Sequence, residues 1–140
     1  MAFWDASAVV PLCYSQAATT RGRNLQKELH RIVVWWGTTV EARSAFARLA
    51  REKTLTDAQR LAAIRRLDQL RRSWIEIVPS EGLRSLAERL PDQYNLRGGD
   101  AIQLAAALVW CRERPRRRPF VCFDERLAEA ATASGFSVHT

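Results

Sequence analysis

Short apolar segments alternate with longer amphipathic ones along the chain, and this alternation predicts its secondary structure. Runs of β-branched and aromatic residues predict strands at residues 2–4, 32–35, 74–78, 120–123 and 136–138. Helical spacing predicts helices at residues 6–12, 20–30, 38–52, from 56 onward, at 80–90, 100–112 and 127–133. Strands that alternate with helices are typical of an α/β fold with a parallel sheet covered on both faces. At 140 residues the chain is expected to form a single domain, residues 1–140.

Two of the helices carry patterns that predict how they pack. A capping box at 56–59 starts the fourth predicted helix. The expected buried stripe of that helix consists of Leu61, Ile64, Leu67 and Leu70. The helix at 100–112 is apolar on most of its sides, so we expect it to be buried.

Four acidic residues lie where a strand gives way to a helix or where a helix begins. Asp5 and Asp124 directly follow predicted strands. Glu41 lies shortly after the strand at 32–35, and Asp100 starts the helix at 100–112. Functional crevices of parallel sheets lie beyond the carboxyl ends of the strands. We therefore expect these four carboxylates to meet at one edge of the sheet.

Each of these acids also has a purely structural interpretation. Asp5 and Asp124 are suited to be helix N-caps. Glu41 ends the segment Thr38-Thr-Val-Glu41, which matches a capping box. Asp100 would interact favourably with the positive end of a helix dipole. For each acid taken alone, the sequence leaves the structural and the catalytic interpretation open.

The charge of the chain is basic and unevenly distributed. The 22 Lys and Arg residues exceed the 15 Asp and Glu residues, which gives a formal net charge of +7. Residues 41–72 hold nine basic and four acidic residues, a net +5, and residues 112–118 hold five Arg and one Glu, a net +4. Such clusters suit a polyanionic partner, and Arg116–Arg118 are candidates to contact phosphate. A solvated arginine-rich surface is the alternative, because the chain has only two lysines.

Carboxylates that share one crevice repel one another and need a counter-cation. Hard oxygen ligands without His or Cys select Mg²⁺ or Mn²⁺. His30 and His139 are far apart in the sequence, and the three cysteines lack metal-binding spacing, so buried free thiols are expected. Ions of this kind suit the hydrolysis of phosphodiester bonds.

Four short segments resemble the motifs of the PIN-domain ribonucleases, most closely the VapC-type toxins of bacterial type II toxin–antitoxin pairs. Asp5-Ala-Ser7 resembles the opening motif of the family, and residues 38–49 resemble the second. Residues 96–105 and 123–131 resemble the third and the fourth. Each motif is short, but all four occur in the order and at the spacing typical of the family.

The resemblance implies a PIN-like three-layer α/β/α sandwich with a short parallel sheet of about five strands, and an Mg²⁺- or Mn²⁺-dependent endoribonuclease. It implies that Asp5, Glu41 and Asp100 hold the metal. It also implies that Asp124 completes the site directly or through water, and that Ser7 supports it by hydrogen bonding. Ser7 has the alternative role of a helix-start serine. The partners that the resemblance implies are the RNA substrate, a cognate antitoxin that blocks the crevice, and a second copy in a homodimer.

A module of the same fold that binds nucleic acid or a protein partner without catalysis is the rival interpretation. Loss of function in EDTA would separate the two. The chain has no apolar run of membrane-spanning length and no signal-peptide-like start, so a cytoplasmic location is expected. The five tryptophans are expected mainly in the core, and one of Trp35 and Trp36 is a candidate for an interface.

Overall fold

A five-stranded sheet, in which all strands run parallel in the order β3-β2-β1-β4-β5, forms the centre of this computed structural model, which describes all 140 residues. The strands are β1 (Ala2–Trp4), β2 (Ile32–Trp35), β3 (Ile75–Ile77), β4 (Pro119–Val121) and β5 (Ser137–His139). The helices are α1 (Ala6–Val9), α2 (Thr19–Leu29), α3 (Thr38–Arg51), α4 (Asp57–Arg71), α5 (Glu81–Gln93), α6 (Gly98–Trp110) and α7 (Glu125–Ser134), with a 3₁₀ turn at Val10–Leu12. The predicted parallel α/β sheet of five strands is confirmed.

The two faces of the sheet are covered by different sets of helices, because successive side chains of a strand point to opposite faces. Phe3, Val33 and Phe120 belong to a core of 19 buried residues that includes residues of α5, α6 and α7. Trp4 and Val34 belong to a second core, of 16 buried residues, which includes residues of α1 to α4. This arrangement is consistent with a three-layer α/β/α sandwich.

The predicted packing of the helices is confirmed for α6 and partly wrong for α4. In α6, Ala101 and the run 103–107 are buried, as its apolar sequence predicted. The capping box of α4 is present, with hydrogen bonds of 2.8 and 3.1 Å between Thr56 and Gln59. Leu61 of the predicted stripe is 47% exposed, however. The buried face of α4 is centred on Ala63, Leu67 and Leu70, and Leu61 lies about 200° around the helix from Ala63.

The cysteines and most of the tryptophans lie inside the protein. All three thiols are buried, as expected, and Trp4 and Trp74 belong to the core. Trp36 follows the end of β2 and is 52% exposed, so it is the tryptophan that a partner can reach. None of the helices is both long and apolar enough to cross a lipid bilayer.

The parallel sheet has a start edge and an end edge, since every strand begins at one and finishes at the other. At the start edge the Ala2 amide donates to the Arg31 carbonyl at 3.0 Å, and the Ser137 amide donates to the Arg118 carbonyl at 2.9 Å. At the end edge the Asp5 amide donates to the Val121 carbonyl at 3.0 Å. The chain segments that precede the strands therefore meet at one edge, and those that follow them meet at the other.

Candidate metal centre

Asp5 is a buried carboxylate at the end of the central strand. Its side chain is 4% exposed and caps α1 by accepting a hydrogen bond from the Ser7 amide at 2.9 Å. The Cys122 thiol also donates to it, with the sulfur 3.7 Å from Oδ2. Burial raises the pKa of Asp5, hydrogen bonds from Ser7 and Ala6 lower it in part, and the charge of Asp100 raises it further. The N-cap interpretation of Asp5 is confirmed, and the cap places its carboxyl group in the core.

Ser7 connects the start of α1 to the chain that follows β4. Its hydroxyl oxygen accepts a hydrogen bond from the Phe123 amide at 2.9 Å. The same oxygen lies 3.7 Å from the sulfur of Cys122. The Asp5 turn is thus fixed against the segment that leads into Asp124. Ser7 has the hydrogen-bonding contacts that a supporting role requires, and as the second residue of α1 it is also a helix-start serine.

Glu41 lies on α3, and its carboxylate faces another helix instead of capping its own. The predicted capping box is wrong, because Gly37 is the N-cap of α3 and makes no side-chain cap. Thr38 is the first helical residue and is fully buried. The Glu41 carboxylate accepts a hydrogen bond of 3.0 Å from the Gln103 amide. Burial, and then the charge of Asp5, raise the pKa of Glu41 to about 7.

Gln103 is a functional candidate that sequence reasoning missed. It is fully buried on α6, one turn after Asp100, and its amide nitrogen also lies 3.4 Å from the Thr38 hydroxyl. Its carbonyl oxygen is buried without any hydrogen-bond partner. An unpaired buried oxygen costs about 1–3 kcal/mol, so an apolar residue would be the cheaper choice for packing alone. Gln103 links α3 to α6, the two helices that carry Glu41 and Asp100.

Asp100 and Asp124 lie at the starts of α6 and α7. The helix α6 begins at Gly98, two residues before the predicted start, and Asp100 lies half-buried in its first turn. Burial raises the pKa of Asp100, as does the charge of Asp124, whereas Arg97 and Arg126 lower it. Asp124 is the exposed N-cap of α7 and accepts a hydrogen bond from the Leu127 amide at 2.9 Å.

The four predicted acids gather at the end edge of the sheet and influence one another electrostatically. Asp100 raises the pKa values of Asp5 and Glu41, and Asp124 raises that of Asp100. The ion pairs of the structure leave all four without a basic partner. We call Asp5, Glu41, Asp100 and Asp124 the acidic edge. An all-oxygen donor set of this charge fits a hard divalent cation.

The four carboxylates of the acidic edge do not converge on one point. No group of three or more His, Cys, Asp or Glu side chains lies in an arrangement that could hold a metal ion. The donor chemistry and the mutual repulsion therefore fit a cation, whereas the side-chain positions do not form a finished coordination shell. Carboxylates without a counter-cation repel one another, which opposes such a shell.

A cleft of about 860 Å³ opens beside the exposed half of the acidic edge. Asp100 and Asp124 line it together with Arg97, Arg126 and Tyr94. The two guanidinium groups carry charge next to Asp100 and form no ion pair of their own. The cleft thus presents carboxylates and free guanidinium groups to the same space, an arrangement that suits a phosphate ester.

Comparisons with known proteins identify the fold of the chain. No protein-family model matches it, and no curated protein is significantly similar. Among solved structures, the chain is similar to the crystal structure of PAE2754 from Pyrobaculum aerophilum, with a TM-score of 0.67 and 22% sequence identity. The similarity covers 97% of this chain and 87% of that one. At this level of identity it shows a shared fold over nearly the whole chain.

Proposed function

We propose that the protein is a metal-dependent endoribonuclease of the PIN fold that cleaves RNA phosphodiester bonds. The observation that carries the proposal is the acidic edge, where four carboxylates from four different helix starts form no ion pair, and where the pKa values of Asp5, Glu41 and Asp100 are raised by burial and by neighbouring carboxylates. Helix capping alone does not explain why Glu41 lies close enough to the buried Asp5 to be influenced by its charge. The same four residues are those that the four sequence motifs select.

Asp5, Glu41 and Asp100 are the residues proposed to hold Mg²⁺ or Mn²⁺, with Asp124 completing the site directly or through water. Such an ion, when bound, polarises the phosphate and makes water a stronger nucleophile. The protein's own contribution is rigidity. Asp5 is fixed by Ser7 and Cys122, and Glu41 is fixed by Gln103. Carboxylates held in this way lose little freedom when they bind a cation.

RNA is the proposed substrate, and Arg97 and Arg126 are its proposed phosphate contacts. Both guanidinium groups line the cleft that Asp100 and Asp124 border. They would hold a phosphate near the carboxylates, because neither forms an ion pair within the protein. The motif resemblance supports RNA over other phosphodiesters, and it also supports the role of a toxin restrained by a cognate antitoxin, with a homodimer as the working form.

One observation favours a second candidate, a non-catalytic module of the same fold that binds nucleic acid or a protein partner. The acidic side chains do not form a finished metal shell. In such a module the acidic edge would serve as a surface for a basic partner, and EDTA would leave binding intact. The two candidates therefore differ in their dependence on a divalent cation.

The decisive experiment measures cleavage of a labelled RNA by the purified protein in Mg²⁺ or Mn²⁺, with and without EDTA. We expect cleavage that EDTA abolishes. The variant Asp100→Asn should lose about 10²-fold or more of the activity, since it removes one ligand charge. Asp92→Asn, which changes an exposed aspartate of α5, is the matched control and should behave like the unchanged protein. Cleavage by Asp100→Asn at the control rate would reject the proposal.

A growth experiment addresses the toxin role separately. Expression of the unchanged protein should arrest the host cell, whereas Asp100→Asn should be tolerated. Equal toxicity of the two would argue that catalysis at the acidic edge is not what harms the cell.

A further inference from the structure

The start edge of the sheet is as basic as the end edge is acidic. The segment 112–118, which precedes β4, carries five Arg and one Glu. Arg31 directly precedes β2, and Arg72 lies three residues before the start of β3. All of these arginines are exposed. We call Arg31, Arg72 and the arginines of the segment 112–118 the basic edge.

The strand register places Arg31, Arg72 and Arg118 in one row. Ala2 is paired with Ile32, and Phe3 with Phe120, so Arg31 and Arg118 flank the start of β1 on its two sides. Neighbouring strands lie about 4.8 Å apart, which separates the two backbones by about 10 Å. The pairing of Val33 with Ile75 brings Arg72 to the same end of the sheet beside β2. The row therefore extends along the sheet at the start of neighbouring strands.

The arginines of the basic edge are largely free of partners within the protein. None of them forms an ion pair. Arg118 is the member with a side-chain contact, since its guanidinium lies 5.8 Å from the centre of the Trp110 ring. Unpaired guanidinium groups in a row produce a strong positive potential.

Left-handed backbone is frequent at this edge. Five residues other than glycine have positive φ, and four of them lie here: His30, Arg112, Glu113 and Arg117, with φ between 52° and 64°. His30 ends α2, and Arg112 and Glu113 directly follow the end of α6, where a left-handed residue is a common way for a helix to end. The ends of these helices therefore turn the chain into the exposed segments that carry the arginines.

We propose that the basic edge is a second RNA-binding surface, separate from the cleft and independent of metal. The proposal rests on the proposed ribonuclease function, because it assigns this surface to the same substrate. The acidic and basic edges are opposite ends of strands of three or four residues, so about 10 Å or more of protein separates them. This separation places the arginines at 112–118 outside the cleft that Asp100 and Asp124 line. They hold a remote part of the RNA, which favours long or folded substrates over short ones.

The experiment measures binding of a fluorescent RNA hairpin in EDTA as a function of salt. The edge variant combines Arg31→Gln, Arg72→Gln and Arg116→Gln, whose side chains make no hydrogen bond or ion pair in the protein. The matched control combines Arg23→Gln, Arg84→Gln and Arg89→Gln, which are exposed, lie within α2 and α5, and belong to neither basic cluster of the sequence. Each triple variant removes three positive charges and lowers the formal net charge from +7 to +4.

We expect the edge variant to bind the hairpin at least about 10-fold more weakly at moderate salt, and the slope of log K against log salt to become shallower by about 2. The control should change binding by less than about 3-fold. Equal losses in the two variants would show that only net charge matters and would overturn the proposal. Loss of binding to polyglutamate together with unchanged RNA binding would assign the edge to an acidic protein and would also overturn it.

A cleavage assay separates this proposal from the ribonuclease proposal. A short single-stranded RNA in Mn²⁺ should be cleaved equally by the edge variant and the unchanged protein, whereas a long folded RNA should show a KM raised by about 10-fold in the variant. Edge-dependent binding without any cleavage would reject the ribonuclease and retain the RNA surface. Cleavage of long RNA with the same KM in both proteins would retain the ribonuclease and reject the surface.

Discussion

The acidic and the basic edge are the two ends of the same five strands, and they differ in charge, burial and backbone conformation. At the acidic edge the charges are partly buried, and two of them cap helices in ordinary geometry. At the basic edge the charges are exposed, and Arg112 and Arg117 have left-handed backbone. The free energy of a buried charge depends on the groups that pack against it. The free energy of an exposed charge depends on the ions and partners that approach it from solution.

Helix dipoles explain the sign of each edge but not its details. The helices α1, α3, α6 and α7 begin at the acidic edge. The helices α2 and α4 end just before strands that start at the basic edge, and α6 ends just before the segment 112–118 that leads into β4. Acidic groups are favourable at helix starts and basic groups at helix ends, by about 0.3–1 kcal/mol each. Dipoles of this size do not compensate the burial of Asp5. The proposed cation would account for that remainder.

The largest expected effect separates stability from activity at the acidic edge. Asp5→Asn keeps an oxygen that can cap α1 and removes a buried charge. We expect metal-dependent cleavage to fall by about 10³-fold or more, while the melting temperature in EDTA stays equal or rises, because the desolvated charge is gone. Calorimetry and RNA cleavage measure the two effects.

Asp68→Asn, at an exposed position of α4, is the matched control for Asp5→Asn and should change neither quantity. A strong loss of stability in Asp5→Asn would mean that the charge itself holds the fold. The acidic edge would then stabilise the fold instead of binding a cation, and the proposed contrast with the RNA-binding basic edge would fail.

The second expected effect concerns the contact between Gln103 and Glu41. Gln103→Met keeps the shape of the side chain, removes the hydrogen bond to Glu41 and also removes the unpaired carbonyl oxygen. We expect Mn²⁺ to bind about 10-fold more weakly, since Glu41 is no longer fixed, with a change in unfolding free energy of at most about 1 kcal/mol. Mn²⁺ affinity is measured by electron paramagnetic resonance on the protein without RNA.

Gln69→Met, at an exposed position of α4, serves as the control for Gln103→Met. Gln103→His, which restores a hydrogen-bond donor, should recover part of the Mn²⁺ affinity. Unchanged Mn²⁺ affinity in Gln103→Met would show that Gln103 serves packing and does not position Glu41.

The smallest expected effect is the pH dependence of stability without metal. The pKa of Glu41 is about 7 in the folded protein and 4.5 in its ordinary state, so the folded chain binds its proton more tightly than the unfolded chain does. Stability should therefore fall as the pH rises from about 4.5 to about 7, and Asp5 and Asp100 act in the same direction. We expect the melting temperature in EDTA to drop by a few degrees over this range.

Saturating Mn²⁺ should cancel the pH-dependent fall in melting temperature, because the cation binds the ionised carboxylates. Glu41→Gln should flatten it, whereas Glu88→Gln, an exposed position of α5, should leave it unchanged. A melting temperature that rises with pH in EDTA would contradict the assignment of these acids as buried and uncompensated.

Local patterns predict most of the fold and the position of the acids at the end edge of the sheet. Short runs such as Ile32–Trp35 identify a strand because β-branched residues favour extended backbone, and Asp5 and Asp124 follow strands directly. The capping role of these two aspartates was also predictable, because an Asp or Asn before a helix can accept a hydrogen bond from a backbone amide of the first turn. Alternation of strands and helices then brings the strand ends to one edge.

The tertiary contacts could not be predicted from the sequence. Glu41 matched a capping box by spacing, but Thr38 lies inside α3, and Glu41 accepts its hydrogen bond from Gln103, 62 residues away. No local pattern predicts a partner at that separation. A polar residue one turn after Asp100 on an apolar helix was the available signal for Gln103. The prediction that Leu61 is buried was wrong for a similar reason. The packing of α4 against the rest of the protein decides which face is buried, and the spacing of apolar residues within α4 does not.

The caps at Asp5 and Asp124 have an evolutionary consequence. Asparagine caps a helix as well as aspartate does, and a single nucleotide change converts an aspartate codon into an asparagine codon. Under the proposed function, a lineage of this fold can lose its chemistry in one mutational step and still fold, because the hydrogen bonds to the Ser7 and Leu127 amides survive. Binding-only descendants with intact helices would then differ from the proposed enzyme by a single residue, and asparagine at either position would mark them.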